Sequence, residues 1–284
     1  MNLKTEICNT FNKCAAEYEK AAIVQCEIGT RLFERLDYLK INPKFVLDLG
    51  SGTGFFSLML KKRYPKAQIV GFDLAFSMLK ESKKKQGFLK KWHLINGDMA
   101  HLPFASGVFD LVFSNQTMHW SSPLSAVLQE LNRVMHNDSC LMFTMPGPDT
   151  FKELKKAWLS VDAHAHANEF LDMHDIGDAL LNERFLDPVV DMELLTVHYP
   201  SINQLLQSVK AQGVRNINPN RNRGLTGAKA LQSFKRAYPC TPGGKYPLTY
   251  EVVYGHAFKG ASRRLENGTE TYISVSEIGR MKRP

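Results

Sequence analysis

The segment Asp48-Leu49-Gly50-Ser51-Gly52-Thr53-Gly54 follows a short apolar run and precedes a helix-like stretch. Glycine tolerates positive φ and lets the backbone come close to a ligand. A dinucleotide fingerprint needs G-x-G-x-x-G, which seats a pyrophosphate on the helix N-terminus. The third glycine of that pattern would fall at residue 55, which is Phe55, so the spacing here is G-x-G-x-G. Such a loop suits a nucleoside ligand that carries no pyrophosphate. Asp73 closes the next apolar run. A carboxylate there can accept hydrogen bonds from both ribose hydroxyls, and charged acceptors make the stronger bonds. Asp98, within Asn96-Gly97-Asp98-Met99, can take an adenine amino group, with Met99 against the ring face. Asn115 ends a further run, at the carboxyl edge where open α/β sheets bind ligands.

Secondary-structure elements must carry these residues to one place. Phe45 to Leu49, Gln68 to Phe72, Trp92 to Ile95, Phe109 to Phe113 and Cys140 to Thr144 read as buried strands. Phe56 to Tyr64, Phe76 to Gln86 and Leu124 to Met135 read as helices between them. The alternation predicts βαβ units and a parallel sheet covered on both faces. Upstream, residues 3 to 40 predict helix: Leu32, Phe33, Leu36 and Leu39 recur at helical spacing, and Asn42-Pro43 ends the run. Beyond Met145, helices are expected at Phe151 to Val161, Asp175 to Asn182, Ile202 to Gln212 and Ala228 to Tyr238. Strands are expected at Val189 to His198 and Leu248 to Phe258, and Arg215 to Gly224 is a polar basic loop. The divisions expected are 1–44, 45–145, 146–260 and 261–284, the last a flexible tail with little apolar periodicity.

The four features at consecutive strand ends resemble those of the class I S-adenosylmethionine-dependent methyltransferases, over residues 45 to 145. Leu102-Pro103-Phe104 followed by Phe109-Asp110-Leu111-Val112 adds to that resemblance. It implies an α/β fold with a Rossmann-like sheet and S-adenosylmethionine as cofactor. It also implies cofactor contacts from Asp48, Gly50, Gly52, Gly54, Asp73, Leu74, Asp98, Met99 and Asn115. The stretch Phe11-Asn12-Lys13-Cys14-Ala15-Ala16-Glu17-Tyr18, with Ala22 and Gln25, resembles the N-terminal lid helices of this branch. That implies Tyr18 over the cofactor and Gln25 near its amino-acid end.

The C-terminal half is more particular. It holds Gly147-Pro148-Asp149-Thr150-Phe151-Lys152-Glu153-Leu154, His166-Ala167-Asn168-Glu169-Phe170-Leu171 and Met173-His174-Asp175-Ile176-Gly177-Asp178. Further on come Leu225-Thr226-Gly227 and Tyr246-Pro247-Leu248-Thr249-Tyr250-Glu251-Val252-Val253-Tyr254-Gly255-His256-Ala257. These strings resemble the malonyl-[acyl-carrier protein] O-methyltransferase family, over about residues 5 to 260. The resemblance implies a helical insertion in the C-terminal half. It also implies methylation of the free carboxylate of a malonyl thioester, on acyl-carrier protein or coenzyme A, at the start of pimeloyl formation in biotin synthesis.

A malonyl carboxylate is already ionised at neutral pH. No general base is therefore expected, and no catalytic residue is assigned; no metal is expected either. The protein has to align the nucleophile and shut out water. Arginine holds carboxylates bidentately, so Arg221 and Arg223 are candidates for the acyl end, with Lys210 behind them and His166 as a hydrogen-bond donor. The runs Lys61-Lys62-Arg63, Lys83-Lys84-Lys85 and Lys90-Lys91 read as solvated helix ends.

The 284 residues are 44% hydrophobic and 23% charged, which excludes collagen-like and wholly disordered chains. The net charge of +8 favours an acidic partner such as nucleic acid, anionic lipid or an acidic carrier protein and by itself chooses none of them; the family resemblance implies the carrier protein. Aromatic and basic residues do not interleave as they do where bases stack, which disfavours nucleic acid. The start has no signal-peptide core, and no apolar run approaches the roughly 20 residues of a membrane span. The odd set Cys8, Cys14, Cys26, Cys140 and Cys240 has no C-x-x-C pair, as expected of a reduced cytoplasmic protein. Two other readings stay open: a methyltransferase for another small acceptor, and a respiratory complex I assembly factor of a related branch that hydroxylates a protein arginine.

Overall fold

The computed structural model describes residues 3–87, 91–213, 216–218, 221, 224 and 226–260. Five strands run in one direction: β1 (Phe45–Leu49), β2 (Gln68–Asp73), β3 (His93–Asn96), β4 (Phe109–Asn115) and β5 (Met135–Pro146). Two more, β6 (Phe185–Tyr199) and β7 (Tyr246–Lys259), complete a sheet of order β3-β2-β1-β4-β5-β7-β6. β7 is antiparallel to both neighbours, so the sheet is mixed where the alternating pattern predicts only its parallel part.

Burial explains the strand sequences. Neighbouring residues of a strand face opposite sides. Val46, Leu111, Phe113 and Met142 enter one core cluster, while Leu47, Leu49, Val112 and Phe143 enter the other. A strand covered on both sides reads as a continuous apolar run. β6 lies at the sheet edge and alternates between exposed and part-buried residues, as a strand with one wet face does.

Helices cover both faces. α3 (Ile23–Glu34), α4 (Phe55–Arg63), α7 (Lys152–Leu159), α9 (Ile202–Ala211) and α10 (Ala228–Ala237) pack on the first cluster. α6 (Leu124–Val134) and α8 (Met173–Asn182) pack on the second. The stripe Leu124, Val127, Leu128, Leu131 and Val134 has the i, i+3, i+4, i+7 spacing of a core-facing helix. α8 and α9 begin at side-chain caps, Asp172 accepting from the His174 N–H and Ser201 from the Gln204 N–H.

The predicted N-terminal helix breaks in two places. α1 (Leu3–Cys14) and the short α2 (Tyr18–Ala21) lie over the strand tips. α3 is part of the core instead, with Ile28 and Leu32 buried. α1 is pinned to α5 (Phe76–Lys84) where Asn12 Oδ1 accepts the Ser77 N–H at 2.8 Å, and Ala15, Ala75 and Met78 bury against one another. The expected tail, 261–284, lies outside the described residues.

Candidate active site

The loops at the carboxyl ends of β1, β2, β3 and β4 meet beneath α1 and α2. They enclose a cleft of about 1100 Å³, counting its open mouth. Tyr18, Gln25, Asp48, Gly50, Gly52, Asp73, Leu74, Asp98, Met99 and Asn115 all line it. Gly54 does not. It turns the chain into α4 with φ +77, and a Cβ there would meet the Ser82 side chain, so its glycine is required by backbone and packing. Gly52 also has positive φ (+52), but a Cβ on it would enter open space.

Asp73 organises the loop. Its Oδ2 accepts the Gly52 N–H and its Oδ1 the Ala75 N–H, both at 2.8 Å. Burial pushes its carboxyl up to about 6, against the backbone N–H groups that favour the ionised form. Asp48, fully inside, accepts the Ser57 hydroxyl at 2.5 Å. Burial pushes it up to about 7, with the Ser57 bond opposing and the nearby Asp73 adding to the rise.

Asp98 is already engaged. Its Oδ2 takes the Lys4 ammonium from α1, and its Oδ1 accepts the Ala100 N–H at 3.0 Å. Partial burial works to raise its pKa, but these partners hold the carboxyl below the usual carboxylate value. Asn115 is a tether: its Nδ2 donates to the Gln25 carbonyl at 2.9 Å, and its Oδ1 accepts the Thr144 hydroxyl at 2.8 Å. Gln25 donates through Nε2 to Gln212 Oε1 at 2.9 Å, which joins α3 to α9. Burial holds the Tyr18 phenol far above its ordinary pKa, so it stays protonated.

Lys85 departs from the sequence reading. The run Lys83-Lys84-Lys85 is read as a solvated helix end, yet Lys85 Nζ contacts Glu19 of α2 and donates to Thr53 Oγ1 at 3.0 Å. Thr53 Oγ1 in turn donates to Glu19 Oε1 at 2.9 Å. This latch ties α2 to the glycine loop, and neither Glu19 nor Lys85 has a sequence signal that would have singled it out.

A second cavity of about 510 Å³ continues from the first, and Phe11, Tyr18, Gln25, Gln116 and Trp120 line both. Its remaining wall includes the rings of His119, Phe151, Phe170 and Tyr250, together with Gln212 and Glu251. Burial drives the His119 pKa down to about 3, so its ring is neutral. No Arg or Lys appears among the described lining residues.

The substrate residues expected from sequence do not gather there. Arg221 lines a third cavity, between α1 and the loop after α9, and its Nη2 pairs with Glu6 at 2.8 Å. Arg223 lies outside the described residues. Lys210 is exposed near the end of α9 and lines none of the three cavities. His166 is held elsewhere: its Nε2 lies 2.8 Å from Asp162 Oδ1, and its ring stacks on Trp158 at 3.9 Å. Trp158 stacks in turn on Phe234. His166 is thus part of a packed aromatic column.

The strand-tip cleft fits an adenosine-bearing ligand. Gly52 leaves room for one, and Asp73 lines the cleft beside it. Buried Gln25 Oε1, Ser51 Oγ and Ser121 Oγ have no hydrogen-bond partner, which buried polar atoms rarely lack. Among the described residues no His, Cys, Asp or Glu cluster could hold a metal, and no helix is long and apolar enough to cross a membrane.

Fold and cleft together define a class I S-adenosylmethionine-dependent methyltransferase. The family model described as a methyltransferase domain matches residues 47–143. A putative methyltransferase from Bacillus halodurans shares the fold, with TM-score 0.58 and 16% identity over 82% of this chain and 99% of that one. The malonyl-[acyl-carrier protein] O-methyltransferase of Legionella pneumophila is 59% identical over 280 residues, covering 98% of this chain and 99% of that one. The relative of the same name from Laribacter hongkongensis is 41% identical over 94% of each chain. This chain belongs to the malonyl-[acyl-carrier protein] O-methyltransferase family, and S-adenosylmethionine is its methyl donor.

Proposed function

We propose that this protein methylates the free carboxylate of a malonyl thioester carried on acyl-carrier protein, in the cytoplasm, and so begins pimeloyl synthesis for biotin. The observation that carries the reading is the near end-to-end 59% identity to the Legionella relative of that name. That identity runs through the C-terminal half, which carries the strings that resemble the malonyl-[acyl-carrier protein] O-methyltransferase family.

S-adenosylmethionine, when bound, supplies an electrophilic methyl group on a sulfonium. In this reading Asp73 holds the ribose hydroxyls, Asp98 and Met99 hold the adenine, and Gln25 faces the amino-acid end. Tyr18, Phe11 and Trp120 close the wall and exclude water, which strengthens every polar contact inside. The acceptor's carboxylate is ionised before it binds. No side chain has to remove a proton, and none is given that role. The third cavity, which shares Phe11 and Trp120 with the other two, receives the thioester arm, with Arg221 on that side.

The test uses labelled S-adenosylmethionine with three acceptors. Malonyl-carrier protein should acquire a base-labile methyl ester, and acetyl-carrier protein, which lacks the free carboxylate, should acquire none. Malonyl-coenzyme A shows whether the carrier itself is required. Failure on both malonyl thioesters refutes the reading.

A further inference from the structure

Gln116 follows the tip of β4 with φ +52, a left-handed conformation uncommon in residues that carry a Cβ. Its backbone N–H is held there by the Thr144 carbonyl at 3.1 Å and the Thr144 hydroxyl at 2.9 Å. Its side-chain Nε2 is buried and has no hydrogen-bond partner. A donor left unused away from water is destabilising. Residues held in sparsely populated backbone regions concentrate at ligand sites. Gln116 combines both features and lines both the cofactor cleft and the second cavity.

His119 stands three residues on, in the short turn Met118–Trp120. Its ring packs against Trp120, with centroids 4.7 Å apart, and edge-on to Phe170 at 5.5 Å. Its Nδ1 is likewise buried without a partner, and it lines the second cavity. Glu251 reaches the same cavity, but its Oε2 accepts the Asp149 N–H at 2.6 Å, and the half-buried Lys155 lies within its field.

We propose that the Gln116 amide and the His119 ring N–H form the cradle that receives the acceptor's free carboxylate in the second cavity, where Gln116 borders the cofactor cleft. This rests on the function proposed above. A guanidinium would neutralise the carboxylate and blunt it as a nucleophile. Two uncharged donors hydrogen-bond the anion, whose charge the adjacent sulfonium of the bound donor balances, yet leave lone pairs on its oxygens. One such pair forms the bond to the methyl carbon as the carbon–sulfur bond breaks towards sulfur, and no proton moves. Burial keeps the His119 ring neutral in the unliganded cavity, so the cradle carries no positive charge before the acceptor arrives. An acceptor that ends in a methyl group leaves both donors unpaired, and sites built on buried donors discriminate strongly on that ground.

The test compares Gln116→Leu, His119→Phe and His119→Gln with the wild type, reading methylation of malonyl-carrier protein and the Kd of S-adenosylmethionine. In Gln116→Leu and His119→Phe, kcat/KM for the acceptor should fall about tenfold or more while the cofactor Kd stays within about twofold. His119→Gln, which keeps a donor, should recover most of the loss. Unchanged kcat/KM in both donorless variants, with an active wild type, overturns the cradle and leaves the function standing. A parallel loss of cofactor affinity also overturns it, since the residues would then serve the cofactor or the fold. A wild type inactive on malonyl thioesters overturns the function and the cradle together.

Discussion

Asp73 Oδ2 accepts the Gly52 N–H at 2.8 Å, so the carboxylate at the end of β2 shapes the glycine loop after β1. One side chain thus sets the loop and faces the cleft that the loop lines. Removing it should damage cofactor binding more than a lost ligand contact alone.

Asp73→Ala should weaken S-adenosylmethionine binding by at least about 1.5–3 kcal/mol, the range for hydrogen bonds to a charged group, with the loosened loop adding to the loss. Titration calorimetry on wild type and variant measures this. An unchanged affinity removes Asp73 from the site.

The latch between Glu19, Thr53 and Lys85 predicts a dynamic effect. Glu19→Ala should speed hydrogen exchange across Tyr18–Ala21 and shorten the lifetime of bound cofactor. Global stability should change little, because part-exposed ion pairs are worth about 0–1 kcal/mol. Unaltered exchange in α2 would show that the latch does not restrain the lid.

Asp48 gives a pH signature with a definite sign. Burial raises its folded pKa to about 7, above the ordinary carboxylate value. The folded state therefore binds more protons than the unfolded chain between about pH 4 and pH 7, and stability falls as pH rises through that window. Buried His119 titrates with the opposite effect, so the comparison must isolate Asp48. The Tm advantage of Asp48→Asn over wild type should widen from about pH 4 to pH 7 and then level off. A constant gap would mean that Asp48 ionises as freely folded as unfolded.

The net charge of +8 makes a prediction about encounter. If the acceptor is delivered by an acidic carrier, kcat/KM for malonyl-carrier protein should fall as salt shortens the Debye length below about 8 Å. The same series with malonyl-coenzyme A controls for salt effects on chemistry. A carrier reaction indifferent to salt would argue against electrostatic steering.

The first three strand tips are legible in the sequence because each apolar run is short and is followed within two residues by a glycine or an acid. The run ending at Asp48 and the one ending at Asp73 therefore mark adjacent points in space. Gly54 looks equivalent to Gly50 and Gly52 on paper, but only the backbone reveals that it starts α4 and leaves the cleft wall. Lys4, Glu19 and Lys85 could not be singled out, since each lies in an ordinary charged helix face and gains meaning only from contacts 94, 34 or 66 residues distant. His166 and Lys210 have side chains suited to an acyl anion, but their positions are not legible in sequence: the first stacks on Trp158, and the second faces solvent. Gln116 carries no motif, and its importance rests on a φ angle and an unused donor.

A crystal structure with S-adenosylhomocysteine bound tests the two-chamber cleft most directly. The nucleoside should lie along the tips of β1, β2 and β3, its ribose on Asp73, its adenine beside Asp98 and Met99, and its sulfur turned towards the Gln116 wall. Density for the ligand at another place, or a ribose that makes no contact with Asp73, would contradict the site from which all the chemistry has been argued.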